Sequence, residues 1–117
     1  MGKVGCIKRN TTAMLPIRVD GVNYTNVKRV KIVFKGCKHN SAPPSLIKEY
    51  SFGNDVFTET SSMGFKLNIK LDPSDTFKFT PGDLFVDVYP ITNIGIINTG
   101  EPLRYDVIDT LLKEVIS

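Results

Sequence analysis

The chain has 117 residues, 41% of them hydrophobic and 23% charged, with a net charge of +3. This is ordinary globular composition, large enough for one core and too small for two, so a single domain over residues 1–117 is expected. No apolar run nears the roughly 18 residues of a membrane span, and a charge this mild does not by itself point to nucleic acid.

The N-terminus, Met1-Gly2-Lys3-Val4-Gly5-Cys6, lacks the apolar stretch of a signal peptide and has Cys6 where a myristoylation pattern needs Ser or Thr. On that footing the acceptor-like Asn10-Thr11-Thr12 and Asn23-Tyr24-Thr25 carry no expectation of glycosylation, and Cys6 and Cys37 are expected as free thiols. Charge is distributed unevenly. Residues 1–70 hold twelve Lys and Arg against four Asp and Glu, a net +8, while residues 71–117 hold three against eight, a net −5.

In chain order, Leu15, Ile17 and Val19 alternate with Met14, Pro16 and Arg18, which predicts a strand with one buried face. Pro16 cannot donate to a ladder, so this strand belongs at an edge or carries a bulge. Asp20-Gly21 is a hairpin signal. Next, Val30, Ile32 and Phe34 alternate with Lys31, Val33 and Lys35. Lys38–Pro44 is a polar loop, and strands are expected at Leu46–Phe52 and Val56–Thr60, separated by the turn Gly53-Asn54-Asp55. The clearest alternation puts Phe65, Leu67, Ile69 and Leu71 opposite Lys66, Asn68, Lys70 and Asp72. After it, Asp72 stands at an N-cap, Pro73 at the first helical position and Asp75 in the first turn, which predicts one turn of helix from Pro73 to about Phe77. Thr80-Pro81-Gly82-Asp83 suits a type II turn with Gly82 at positive φ. Strands follow at Asp83–Ile91 and Pro102–Val107, with Asn98-Thr99-Gly100 as the turn between them. The spacing of Ile108, Leu111, Leu112 and Val115 predicts a helix over Val107–Ile116, with a terminal strand as the competing reading.

The sum is an all-β fold, an Ig-like antiparallel β-sandwich of about seven strands with a short C-terminal helix. Its expected core is Ile17, Val30, Ile32, Phe34, Phe65, Leu67, Ile69, Phe77, Phe79, Val86 and Val88.

Chemistry is sparse. His39 and Cys37 could pair as base and nucleophile, but no orienting acid or oxyanion motif accompanies them in the sequence. Two cysteines and one histidine cannot close a zinc site by themselves. Asp72, Asp75 and Asp83 lack the regular acidic spacing and late glutamate of a calcium loop. No catalytic, cofactor-binding or metal-binding residues are therefore assigned, and no enzyme is expected. Lys28, Arg29, Lys31, Lys35 and Lys38 form a basic string, either a phosphate-tracking surface or a solvated strand face or edge, and the second reading is preferred because Phe34 among them should be buried. Carbohydrate binding, the alternative function, is weakened by the absence of Trp and by Tyr50, Tyr89 and Tyr105 falling inside strands. Lys28, Arg29, Lys31 and Lys35 against Asp83 and Asp87 form a candidate interface. If they lay near opposite sheet edges, copies could join head to tail.

The succession of features resembles small virion structural proteins of bacteriophages and prophages of Gram-positive hosts. It rests on the opening Ile7-Lys8-Arg9-Asn10-Thr11, the strands Met14–Val19 and Val27–Phe34, the stretch Leu71-Asp72-Pro73-Ser74-Asp75-Thr76-Phe77-Lys78-Phe79-Thr80-Pro81-Gly82, and the ending Asp106–Ile116. Asp72 stands where that pattern has Thr or Ser, and the glycine is one residue out of step. More distantly, the chain is similar to the N-terminal sandwich of upper baseplate proteins. The resemblance implies tail, baseplate or head–tail assembly, other virion proteins as partners with a possible homo-oligomer, and a location in the virion and in the host cytoplasm during assembly. It implies no catalytic residues.

Overall fold

In the computed structural model, which describes residues 3–36 and 43–112, nine strands form two sheets packed face to face. The larger sheet runs β1 (Gly5–Lys8), β9 (Leu103–Ile108), β7 (Gly82–Thr92), β3 (Val27–Lys35), β4 (Leu46–Ser51), with the two-residue β8 (Gly95–Ile96) beside the end of β7. The smaller sheet runs β2 (Ala13–Asp20), β6 (Gly64–Leu71), β5 (Phe57–Thr58). This is the expected all-β sandwich.

Its core is the sum of the two inner faces. Phe65, Leu67, Ile69 and Leu71 of β6 meet Val30, Ile32 and Phe34 of β3 and Leu84, Val86 and Val88 of β7, all buried. Burial of this kind stabilises by roughly 1.5–3 kcal/mol per large side chain before ordering costs. Phe34 and Phe79 stack at 5.6 Å between ring centroids. Every expected core residue is buried except Phe77, which is half-buried. The guanidinium of Arg9 lies 4.6 Å above its ring, donates to the Phe77 carbonyl at 2.9 Å and pairs with Asp109 at 2.7 Å. Phe77 is therefore a platform for a cation that ties the chain after β1 to the segment after β9.

Between β6 and β7, α1 (Pro73–Thr76) forms as expected. The Asp72 N–H donates to Asp75 Oδ2 at 3.0 Å, and Lys48 reaches the same oxygen at 3.1 Å. Thr76 is fully buried; its hydroxyl donates to the Thr11 carbonyl at 2.8 Å and accepts from the Thr11 N–H at 3.1 Å.

Three further expectations are corrected. Gly21 has the positive φ of a turn, +79°, but Asp20-Gly21 closes no hairpin: β2 pairs with β6, and the chain crosses to the other sheet through a 3-10 turn at Tyr24–Asn26. Tyr24 draws it across, packing its ring on Phe52, Phe57 and Phe65 and accepting the Gly53 N–H at 2.9 Å. Second, the sandwich is not wholly antiparallel, because β1 pairs with β9 in parallel. Third, Val107 and Ile108 end strand β9 rather than opening a helix, and residues 109–112 are not helical. Tyr105 in, Asp106 half out and Val107 in continue a period of two that the parallel partner β1 completes. The rest of the expected helix, Lys113–Ile116, lies outside the described residues, as do Cys37, Lys38 and His39.

Strand β2 is an edge, as Pro16 required. Asn68, its cross-strand partner, donates its N–H to Val56 on the side away from β2. Alternation along an antiparallel ladder then turns the backbone of Met14, Pro16 and Arg18 outward, to the open edge.

Candidate interaction face

In the middle of the larger sheet, β3 lies between β7 and β4, and the register fixes which residues share its outer face. Three rows cross these strands: Ile91–Arg29–Ser51, Tyr89–Lys31–Glu49 and Asp87–Val33–Ile47. Phe85 and Lys35 form the next pair, and Asp83 follows at the start of β7. Ile47 and Ile96 are 45% and 65% exposed, while Val33, Tyr89 and Ile91 are half-buried. This face thus mixes apolar and charged side chains, in contrast to the fully polar exterior that strict alternation implies.

The charges fall into two columns. Arg29, Lys31 and Lys35 stand along β3, and Asp83 and Asp87 along its neighbour β7. Lys28 is exposed at the irregularity between Val27 and Arg29 at the start of β3. The condition for head-to-tail joining, basic and acidic groups near opposite edges, is therefore not met: both strands are interior and hydrogen-bonded to each other, because Val30–Phe34 and Val86–Val88 bury the middle of the same inner face. Nor is the basic string a charged edge.

Within the face, Tyr89 donates its hydroxyl proton to Asp87 Oδ2 at 2.6 Å, and the Val88 N–H donates to Asp87 Oδ1 at 3.1 Å. The bond to Asp87, with burial and the aspartate charge behind it, pushes the Tyr89 phenol above its ordinary pKa. Arg29 approaches Glu49 at 3.6 Å, and Asp83 lies 3.8 Å from Lys3 and 3.4 Å from Arg104. Lys31 has no carboxylate within ion-pairing distance among the described residues.

The aspartates weighed as calcium ligands do not converge: Asp75 is engaged by Lys48 and the Asp72 N–H, Asp83 by Lys3 and Arg104. Among the described residues no cluster of three His, Cys, Asp or Glu could hold a metal. Cys6 is exposed on β1. Sequence reasoning named the charged half of this face and missed the apolar half. The signal was there: Val33 between Ile32 and Phe34, and the near-continuous run Leu84–Ile91, put apolar residues at outward positions, as in strands covered on both sides.

No protein-family model matches the chain, and no curated protein matches it significantly. Among solved structures, the extracellular portion of mouse CD200RLa is similar at 12% identity and a TM-score of 0.37, over 92% of this chain and 56% of that one. This chain thus spans little more than half of that structure's length. The extracellular domains of the voltage-gated sodium channel beta4 subunit, described as parallel homodimers that explain a role in cell-cell adhesion, are similar at 15% identity and a TM-score of 0.32, over 95% and 96% of the two chains. Scores this low carry nothing about function. Among the described residues no helix is long and apolar enough to cross a membrane.

Proposed function

We propose that this chain is a non-enzymatic structural module of a phage or prophage virion, taking part in tail, baseplate or head–tail assembly, and that it works through the outer face of its larger sheet. The observation that carries the assembly half of this reading is the exposure of Ile47 and Ile96 beside half-buried Val33, Tyr89 and Ile91, interleaved with the charged columns of β3 and β7. Contact surfaces mix apolar, aromatic and charged groups in the same way. The virion half rests on the whole-chain resemblance set out above, with other virion proteins as partners and the virion, after host-cytoplasmic assembly, as the location. Gold-labelled antibody against the protein, applied to intact particles induced from the source strain, tests it. Labelled particles at a fixed position are the expected result. Label confined to the particle-free fraction overturns the reading.

One observation favours the alternative of a ligand-binding module. At one end of the sandwich a cleft of about 330 Å³ is lined by Asn23, Asn26, Thr92 and Asn93 with Val22 and Ile94. Amides beside apolar groups suit a sugar. A glycan array with no bound member removes this alternative.

A further inference from the structure

We propose that the partner of the larger sheet's outer face is a second copy of this chain, docked face to face about a twofold axis that runs along the seam between β3 and β7. The proposal rests on reading this face as a contact surface and adds what it contacts.

The arrangement of charge points to self-pairing. Rotation by half a turn about a line parallel to the strands, midway between β3 and β7, places β3 of one copy over β7 of the other while keeping each row in place. The rows then set Arg29, Lys31 and Lys35 of one copy over Ile91, Tyr89 and Phe85 of the other, with Asp87 one row along from both lysines, twice over by symmetry. In such an isologous contact every favourable pair is made in duplicate, and the assembly closes at two. Lys31 comes over Tyr89, whose hydroxyl is already held by Asp87, so its ammonium meets an aromatic face and a carboxylate together. Lys31 has no ion pair among the described residues, so none of these has to be given up.

The face is also large enough. Five strands at about 4.8 Å spacing and the stretch of β7 from Asp83 to Ile91 at about 3.3 Å per residue give a footprint of roughly 600 Å² before side-chain relief. Specific stable interfaces begin at about 1,200 Å² in total, about 600 Å² from each partner, so the footprint reaches the lower end of that range.

Sedimentation equilibrium of the full chain at about 0.05 M and about 0.5 M salt is the test, with charge reversal as the control. The wild type is expected to dimerise at low salt and to bind itself at least about tenfold more weakly at high salt. Lys31→Glu and Asp87→Lys should each be monomeric under conditions where the wild type is dimeric, with circular dichroism confirming that both remain folded. The double variant K31E/D87K should regain the dimer, since the two reversed charges, one row apart across the contact, again have opposite signs. A wild type that stays monomeric at about 1 mM and low salt overturns the proposal. So does a dimer that both single variants leave intact, or single variants that dissociate without rescue in the double. A monomer that still labels particles would remove the dimer and leave the virion reading standing, whereas a dimer absent from particles would do the reverse.

Discussion

Two central strands of this molecule look alike from inside and differ from outside. In β6, Phe65, Leu67 and Ile69 are buried, and in β3, Val30, Ile32 and Phe34 are buried as completely. Outward, β6 is self-sufficient: Lys66 approaches Glu59 at 3.8 Å, Asn68 donates to the Thr58 hydroxyl at 3.0 Å, and adjacent Arg18 pairs with Asp20 and Glu59. Outward, β3 presents Lys31, without an ion pair among the described residues, beside Val33, with Ile47 and Tyr89 flanking. Equal interiors make equal contributions to folding. Unequal exteriors leave the outer groups of one sheet paired with each other and expose apolar groups on the other.

The sharpest test of the shared interior is Leu67→Ala in β6 against Ile32→Ala in β3. Each should cost about 2–5 kcal/mol in urea unfolding, because each leaves a cavity at a fully buried position. A loss below about 0.5 kcal/mol at either would mean that strand's faces are reversed. Next in size is Gly64→Ala at the start of β6, where a Cβ would lie 2.3 Å from the Val19 carbonyl oxygen. Overpacking against backbone should cost about 1–3 kcal/mol or more. Gly82, with φ +119° and no atom within 4 Å of a built Cβ, is a milder site where Val is disfavoured by conformation alone.

Between the two sheets, Asp75 supplies a pH-dependent term. Burial by itself would raise its pKa, but the Asp72 N–H and the Lys48 ammonium outweigh it and hold the carboxyl below its ordinary value. A group depressed in the folded state stabilises above its unfolded pKa of about 3.9 and loses that contribution as pH falls through the folded value. Asp75→Asn should therefore cost about 1–3 kcal/mol at neutral pH and flatten the acid limb of the stability profile below about pH 4. An unchanged acid limb would place the titration elsewhere. The smallest effects belong to the exteriors. Lys66→Ala and Lys31→Ala should each change stability by less than about 0.5 kcal/mol, while only the second changes sedimentation.

Much of this was legible because period-two patterning depends on local residues alone. The alternation in Phe65–Leu71 and the Asp72-Pro73 start of α1 are written in consecutive positions, and both formed where expected. What failed depended on residues far apart. Asp20-Gly21 had the chemistry of a hairpin, yet Tyr24 had an aromatic pocket waiting at Phe52, Phe57 and Phe65. Ile108 looked helical by spacing, yet the parallel pairing of β1 with β9 holds it in a strand. Strand order decided the candidate face as well. No local pattern announces that Lys31 and Tyr89 are neighbours, and a charge count along the chain could suggest only that the two signs were separate.

Pro16 has a consequence for how this chain meets other strands. It occupies the long edge strand of the smaller sheet, with its missing N–H directed to the side where another strand would add. A strand laid against β2 would find an acceptor with no donor at the centre of the ladder, flanked by the charged Arg18 and Asp20. Runaway fibre growth needs an uninterrupted template that each arrival copies for the next. Here the template has a gap, so a strand that docks on β2 is interrupted at the middle of its ladder.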